Sequence, residues 1–320
     1  MKIIPLLATL ASAFAIANHA YALNSDFCDG TREHPCIVQD TDKSTSDVKH
    51  WRTVKMIRDA YKGNTSGLKH AWVSASGAPS AKGFKKIASN IEKETGGKYK
   101  KMIDLDLREE DHAYLNNNAI TLTDEHNWIN LGNSYQQSIA AEQGWLQSLA
   151  GRSVINNVLS IDQFDEHKFS QGVNVKVDTL ESEKSVAEKA GFEYIRLTVT
   201  DHMAPRDEDV DRFVSLVKSL PDNVWLHMHC RGGNGRATTF MAMYDMLKNA
   251  DKISFNEIIK RQASVSPYYD LTDIERKHPD MQQYYKARLD FLMHFYQYAS
   301  TSLRGYSGAW STWIKEHPLS

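Results

Sequence analysis

Residues 224–244 read VWLHMHCRGGNGRATTFMAMY, and this stretch divides into three parts. Residues 224–229 alternate large apolar and polar side chains at a period of two, which predicts a strand. From Gly235 onward, apolar side chains recur at spacings of three and four, which predicts a helix. The connecting loop contains three glycines and an asparagine, residue types that accept positive φ. We therefore expect a strand, a tight loop and the first turn of a helix.

This arrangement is suited to binding a dianion such as phosphate. Backbone N–H groups of the loop and the positive end of the helix dipole converge on one point. Cys230 opens the loop and Arg236 closes it, so the thiol lies at the floor while the guanidinium can hold two phosphoryl oxygens. The same positive field favours the nucleophilic thiolate. The stretch therefore predicts a cysteine nucleophile in a phosphate site, with residues 230–236 around the phosphate.

Cleavage of an alkyl phosphate also requires a general acid on another segment. Residues 194–199 form an alternating, β-rich run, and Asp201 follows it, where a strand end can present a carboxyl group to the loop. Asp201 is therefore the predicted acid, and it can act as base for the water that hydrolyses a cysteinyl phosphate. Asp207 is the competing candidate. It precedes an amphipathic helix and is better interpreted as a first-turn acid.

The pattern His229-Cys230, five residues and Arg236 resembles the cysteine-dependent phosphatases of the protein tyrosine phosphatase superfamily. Residues 200–239 resemble its exported phytase-like branch, the inositol polyphosphate phosphatases, in which a Thr-Asp-His segment supplies the acid. Residues 104–112 (DLDLREEDH) look like that family's Asp-Leu-Arg-x-Glu-x-His segment, with its glutamate at Glu109 or Glu110. Residues 127–132 and 285–292 are also similar, so the resemblance extends over about residues 50–300. A shorter rhodanese-type sulfur-transfer loop is the weaker alternative.

The chain departs from the superfamily pattern at Ala237, where a serine or threonine usually follows the loop arginine. In the resembling enzymes that hydroxyl stabilises the departing thiolate. Thr238 follows and is an imperfect substitute. We expect hydrolysis of the phosphoenzyme, rather than its formation, to be the affected step.

A polyphosphorylated substrate requires several cations around the rim of the site. Arg231 lies inside the loop, and Arg52 resembles the family's substrate-contacting arginine. His202 adjoins the acid and can contact substrate or orient Asp201. The full set of predicted substrate-binding residues is Arg52, Lys168, His202, Arg206, Arg231, Gly232, Gly233, Asn234, Gly235, Lys277 and Lys286.

Neither a metal nor another cofactor is predicted. The 13 histidines include no His-Glu-x-x-His motif, and neither Cys-x-x-Cys nor EF-hand spacing occurs. His227 and His229 share a strand face without an evident third ligand, and are better interpreted as residues that fix the loop by hydrogen bonds. A formal net charge of -2 provides no overall field for nucleic acid, so the expected partner is a small polyphosphorylated molecule.

The N-terminus indicates export. Met1-Lys2 leads into an apolar run that ends in Ala20-Tyr21-Ala22, a pattern typical of a signal peptide over residues 1–22. No later stretch approaches the length of a membrane span, so no membrane association is expected after cleavage. Three cysteines in an oxidising compartment leave one unpaired. Cys28 and Cys36 can pair, which leaves Cys230 free, and the predicted location is secreted or periplasmic.

The alternation of strands and helices predicts an α/β protein with helices on both faces of a central sheet. The resemblance implies a protein tyrosine phosphatase-like catalytic domain over residues 23–320, with a small inserted partial β-barrel at about residues 112–183. The predicted function is metal-independent hydrolysis of inositol polyphosphates, phytate above all, through a phosphocysteine. A protein tyrosine or phosphoinositide phosphatase is the first alternative, and a non-catalytic phosphate-binding module is the second.

Overall fold

The computed structural model describes residues 27–41, 45–69 and 71–318. The predicted signal peptide lies outside this range. Within the described residues, no helix is both long and apolar enough to cross a membrane.

Eleven strands are present in the described residues: β1 Cys36–Gln39, β2 Arg52–Thr53, β3 Val73–Gly77, β4 Lys101–Asp106, β5 His112–Leu115, β6 Asn118–Thr123, β7 Val154–Ser160, β8 Val173–Lys176, β9 Leu180–Glu181, β10 Phe192–Arg196 and β11 Val224–Cys230. The helices of the same residues are α1 Val54–Ala60, α2 Ala81–Thr95, α3 Tyr135–Leu149, α4 Ile161–Asp165, α5 Glu183–Lys189, α6 Asp207–Ser219, α7 Gly235–Asn249, α8 Phe255–Gln262, α9 Pro279–Leu303 and α10 Trp310–Glu316.

A five-stranded sheet positions the site. Its order is β10-β4-β11-β3-β2, and the first four strands are parallel. Parallel pairing brings the carboxyl ends of these strands to one edge, so Asp106, Cys230 and Gly77 lie side by side. This edge is where ligands bind in open parallel sheets.

Helices cover both faces of this sheet, as predicted. On one face α6, α7, α9 and α10 enclose the larger core, which includes Phe213, Phe240 and Phe295. On the other face α2 and α5 pack against the strands through a smaller core that contains Phe84 and Val186. Apolar side chains therefore fill both faces, as in other layered α/β proteins.

Helix α2 shows how local sequence sets a boundary. The Ser80 hydroxyl accepts a hydrogen bond from the Gly83 N–H at the N-terminus. Gly96 adopts the left-handed conformation, with φ of 61°, directly after the last helical residue. Glycine at this position therefore ends the helix.

A second sheet of six strands has the order β8-β7-β1-β6-β5-β9. Five of its strands come from residues 112–181, where the β-rich insertion was predicted. The sixth, β1, comes from the N-terminal segment and pairs with β6 and β7 near the centre of the sheet. Among the described strands, β8 and β9 lie at opposite edges, which is the pairing of an open sheet. Closure into a partial barrel stays a prediction.

The cysteines pair as expected. Cys28 and Cys36 form a disulfide that ties the N-terminal segment to the start of β1. Cys230 is free and buried. A single thiol is therefore available for chemistry, because the chain has only three cysteines.

Candidate active site

The loop between β11 and α7 turns its carbonyl groups outward. The Arg231 carbonyl accepts a hydrogen bond from the Ala78 N–H at 3.0 Å. The next carbonyl, of Gly232, lies 2.7 Å from His50 Nδ1, and that of Gly233 accepts from Arg52 Nη1 at 3.0 Å. Three successive carbonyls are thus held by groups outside the loop. This arrangement leaves the N–H side of the loop for an anion.

Gly233 is required by the shape of this loop. Its φ is 73°, in the left-handed region. A Cβ atom added there would lie 2.4 Å from the Gly77 backbone nitrogen, so the loop packs directly on the end of β3. No larger residue fits without moving one of the two backbones.

Arg236 is fixed by a buried carboxylate. Its Nη1 lies 2.6 Å from Glu110 Oε2, its Nη2 lies 2.8 Å from Glu110 Oε1, and Nη1 also donates to the Val199 carbonyl. Burial alone would raise the pKa of Glu110, but Arg236 holds that pKa well below its usual range. Both groups are therefore charged, and the guanidinium is oriented before any ligand arrives.

Asp201 lies across from the loop, beyond the end of β10. Its Oδ2 lies 3.1 Å from Arg236 Nη2 and accepts a hydrogen bond from Asn127 Nδ2 at 2.9 Å. The Asp201 carbonyl accepts from Trp128 Nε1 at 3.0 Å. Residues that follow β6 of the second sheet therefore hold Asp201 against Arg236.

The charge of Asp201 depends on what occupies the site. Burial would raise its pKa, but Arg236 lowers it, and the net effect is a pKa below the usual value. A phosphate dianion would take over Arg236 and place negative charge beside Asp201. Both changes favour the protonated carboxyl that a general acid requires.

His202 adjoins the acid in a strained backbone conformation, with φ of 66°. Its Nδ1 lies 2.8 Å from the Tyr285 hydroxyl on α9, and burial lowers its pKa. Its N–H donates to Asp201 Oδ1 at 2.9 Å. The His202 backbone thus contacts the predicted acid, and the choice between its two predicted roles stays a prediction.

Arg231 and Arg52 hold different parts of the loop. Arg231 keeps 14% of its side chain exposed, and it donates to Asp40 Oδ1 and Asn127 Oδ1, each at 2.7 Å. Arg52 differs from its expected rim position, because it is fully buried beneath the loop. Its Nη1 bonds Gly233 and its Nη2 donates to Thr238 Oγ1 at 3.0 Å. Burial lowers the pKa of Arg52 to about 10. This geometry makes Arg52 a support for the loop.

The other predicted rim cations differ in how near they lie to the loop. Lys277 lies near the site, with its ammonium 4.4 Å from the ring centre of Tyr269. Arg206 is the residue before α6. Its guanidinium donates hydrogen bonds to Asp209, to the Asn133 carbonyl and to Thr198, and these contacts stabilise the fold. Lys168 and Lys286 form exposed ion pairs with Glu166 and Asp290. The contacts of the described residues connect neither of these two lysines to the loop.

Several site residues were not assigned a role from the sequence. Glu110 is the partner of Arg236, which settles the choice between Glu109 and Glu110. Asn127 and Trp128 hold the acid, although their segment was noted only as a resemblance. Arg288, on α9, lies beside the loop, since a Cβ atom on Gly235 would be 2.7 Å from its Nη1. The signal for these residues was the segments 127–132 and 285–292, which the resemblance had picked out.

Ala237 is fully buried in the larger core. Its side chain is a methyl group and offers no hydroxyl to the loop. The hydroxyl of Thr238 accepts a hydrogen bond from Arg52. The hydroxyl of Thr239 donates to the Gly235 carbonyl at 2.9 Å, within the helix. Both following hydroxyls therefore bond to other partners, and the expectation of slow phosphoenzyme hydrolysis stays a prediction.

Two groups of buried side chains behind the loop have the composition of metal ligands. They are Asp104, Glu183 and His229, and Asp106, His112 and Glu183. In each group the candidate ligand atoms lie within 4.8 Å of one another. Asp106 already accepts from the Arg108 N–H at 2.9 Å and from the Tyr194 hydroxyl at 2.8 Å. One member of the second group, Asp106, is therefore already hydrogen-bonded to protein donors.

Comparisons with known proteins agree with this geometry. A family model of protein tyrosine phosphatase-like phytases, described as "Inositol hexakisphosphate", matches residues 105–248. The protein tyrosine phosphatase-like phytase of Bdellovibrio bacteriovorus is 31% identical, with a TM-score of 0.71, over 88% of this chain and 95% of that chain. This chain belongs to the protein tyrosine phosphatase-like phytase family. Its recognition from the loop motif is thus confirmed.

Two further relatives are longer than this chain. The myo-inositol phosphatase of Mitsuokella multacida, solved with myo-inositol-(1,3,4,5)-tetrakisphosphate, is 31% identical with a TM-score of 0.79. The match covers 89% of this chain and 48% of that one. Effector protein hopD2 of Pseudomonas syringae pv. tomato is 35% identical over 210 residues, which is 65% of this chain and 45% of the effector. The chain thus spans about half the length of these two relatives.

Proposed function

We propose that this protein is an exported cysteine phosphatase that removes phosphate from myo-inositol polyphosphates, phytate above all, without a metal ion. The observation that carries the proposal is the convergence of Cys230, Arg236 and Asp201 at one sheet edge, with 3.1 Å between Arg236 Nη2 and Asp201 Oδ2. A nucleophile, a cation and an acid are the groups that phosphate ester cleavage needs.

The reaction proceeds in two steps. The Cys230 thiolate attacks phosphorus, and the P–O ester bond breaks as the leaving oxygen takes the proton of Asp201. Arg236 and the loop N–H groups stabilise the equatorial oxygens, a role that a metal ion fills in other phosphoryl-transfer sites. Asp201 then accepts a proton from water, which attacks phosphorus, and the S–P bond breaks to release inorganic phosphate and thiolate.

Cations near the loop support a polyphosphorylated substrate. Arg231 is partly exposed at the mouth, and Lys277 lies beside the rings of Tyr269 and Tyr285. An inositol polyphosphate carries several phosphates outside the reacting one, and these cations offer it additional contacts. The relative from Mitsuokella multacida, solved with an inositol tetrakisphosphate, agrees with this substrate class.

A protein tyrosine phosphatase or phosphoinositide phosphatase is the second candidate. Aromatic rings border the acid: Trp128 bonds the Asp201 carbonyl, and Tyr285 bonds His202. An aromatic wall of this kind favours a flat phosphorylated ring. The two candidates share the chemistry, so substrate preference separates them.

The deciding experiment measures phosphate release from phytate by the mature protein, in EDTA and a thiol reductant. Cys230→Ser serves as the inactive variant, and Lys315→Gln, on α10, is the matched surface control. We expect release by the intact protein and by the control but not by Cys230→Ser. A higher kcat/KM on a phosphotyrosine peptide than on phytate would favour the second candidate. Binding of phytate without turnover of either substrate would indicate a non-catalytic module.

Two finer parts of the proposal have their own tests. Export is supported by the Cys28–Cys36 disulfide, since such bonds persist in oxidising compartments. N-terminal sequencing of protein from the native host should begin at Leu23, and an intact Met1 would contradict export. For the phosphocysteine, rapid-quench kinetics should show a pre-steady-state burst, because Ala237 provides no hydroxyl for the second step. Linear product formation from the first turnover would contradict it.

A further inference from the structure

Glu183 occupies an unusual place between the two sheets. It is the first residue of α5, directly after the last strand of the second sheet, and it is 1% exposed. Its Oε1 lies 2.6 Å from His229 Nε2, and its Oε2 lies 3.4 Å from His112 Nε2. A single carboxylate thus connects two buried histidines.

These groups continue into a chain of alternating charge. His229 Nε2 also lies 3.5 Å from Asp104 Oδ1, and His112 Nε2 lies 3.1 Å from Asp106 Oδ2. The order is Asp104, His229, Glu183, His112 and Asp106, and each member is at most 1% exposed. Buried charges are tolerated when each has an opposite partner. The Glu183 carboxylate meets that condition when the imidazole of His229 is protonated.

The surroundings favour protonated imidazoles. Burial alone would lower the pKa of His229, but Glu183 and Asp104 raise it well above the usual value. Burial and Arg108 lower the pKa of His112, but Glu142 and Asp106 raise it, and the net effect is upward. Burial raises the pKa of Asp104 to about 7, so this end of the chain loses its charge below that pH, and Glu183 is the closer carboxylate to His229. The other titratable and charged groups that face the chain include Arg108, Asp111, Tyr114, Glu142, Tyr194, Arg196 and His227.

The two histidines lead to different parts of the catalytic machinery. His229 immediately precedes Cys230, and its carbonyl accepts from the Leu107 N–H at 3.0 Å. His112 Nδ1 lies 2.8 Å from the carbonyl of Glu110, the residue that holds Arg236. Glu183 thereby contacts His229, which adjoins Cys230, and His112, which contacts the backbone of the residue that holds Arg236.

We propose that Glu183 is a positioning residue for phosphoryl transfer, which acts through His229 and His112 to hold Cys230 and Arg236 in their mutual geometry. The inference rests on the proposed function for its catalytic part. Its effect on the pH profile of the Cys230 thiol does not, because Glu183 contacts the neighbouring His229 whatever the substrate.

The test compares Glu183→Gln with Glu181→Gln, a matched control on β9 whose carboxylate pairs with the exposed Lys189. The first readout is the rate of Cys230 alkylation by iodoacetamide as a function of pH. We expect its midpoint to move by about one pH unit in Glu183→Gln, because the substitution removes a buried charge that pairs with His229, the residue before Cys230. The control should match the wild type. An unchanged midpoint in folded Glu183→Gln would overturn the proposal.

The second readout is turnover. With phytate or another accepted phosphomonoester, Glu183→Gln should lower kcat by about tenfold or more and leave KM within about twofold, since the defect lies in positioning rather than in substrate contact. A raised KM with unchanged kcat would contradict it. If the wild type hydrolyses nothing, the proposed function fails, while the alkylation profile still tests the charge chain.

Two additional measurements cover other outcomes. If circular dichroism shows that Glu183→Gln does not fold, Asp104→Asn replaces it. This isosteric change affects the contact with His229 and leaves His112 with its own partners. A smaller shift of the alkylation midpoint is expected, and no shift would overturn the proposal. Metal content of the purified wild type is measured by mass spectrometry. One bound metal ion per chain that is lost in Glu183→Gln would replace the charge chain with a metal site.

Discussion

Arg236 and Glu110 form a fully buried, two-point ion pair, with Nη1–Oε2 and Nη2–Oε1 distances of 2.6 and 2.8 Å. Glu110 also accepts from Arg108 Nε at 3.1 Å, so one carboxylate lies between two guanidinium groups. Such a pair has a defined geometry because the planar guanidinium matches the carboxylate. The orientation of the catalytic arginine is thus built into the fold.

Glu110→Gln should affect both stability and activity. Removing one partner of a buried ion pair leaves an uncompensated charge, which costs about 3 to 5 kcal/mol. We therefore expect the free energy of unfolding in urea to fall by about that amount, and kcat to fall with it. Glu166→Gln, which breaks only the exposed pair with Lys168, should change stability by less than about 0.5 kcal/mol. Equal effects of the two variants would contradict the buried pair's role.

Asp201→Asn should lower the rate of hydrolysis most for substrates whose leaving group needs a proton. With phytate, whose leaving group is an alkoxide, loss of the acid should lower kcat by about 100-fold or more. With p-nitrophenyl phosphate, whose phenolate leaves without a proton, the first step should change far less. The ratio of the two rates, measured for wild type and variant, checks this. An equal loss on both substrates would show that Asp201 is not the acid.

Gly233→Ala should damage the loop, whereas another glycine tolerates the same change. Gly233 combines a φ of 73° with backbone atoms within 3 Å of an added Cβ. The substitution should lower the free energy of unfolding by more than about 1 kcal/mol and abolish turnover. Gly144→Ala, inside α3 with open space around it, should instead stabilise the protein by about 0.5 to 1 kcal/mol. Thermal unfolding of both variants distinguishes these outcomes.

Glu109→Gln should stabilise the protein at high pH only. Burial raises the pKa of Glu109 to about 7, so the native state holds this proton over a range where the unfolded state has released it. Stability is therefore lost as pH rises from about 4.3 to 7, by up to about 3 kcal/mol at pH 8.

The glutamine variant lacks this loss. Its free energy of unfolding should exceed that of the wild type at pH 8 and be close to it at pH 5. Glu125→Gln, at an exposed position, is the control and should show no such crossover. A uniform difference between Glu109→Gln and wild type across this pH range would contradict the assignment.

Local sequence determined the secondary structure around Cys230. The strand, loop and helix around Cys230 follow from short-range periodicity and glycine content, because such elements are set by the side chains within a few residues. The end of α2 at Gly96 and the Cys28–Cys36 disulfide were also predictable from neighbouring residues. The nucleophile, arginine and acid could be named because their chemistry needs particular residue types in one motif and one adjacent strand end.

Only the tertiary structure decided which distant residues complete the site. Arg52 has the charge of a rim residue, yet chain topology places it beneath the loop. Asn127 reaches Asp201 across 74 positions, and Glu183 reaches His229 from the start of α5. No periodicity carries such pairings, because they depend on how two sheets pack against one another. The sequence thus determined the chemistry of the loop, and the packing of the two sheets determined which buried charges hold it in place.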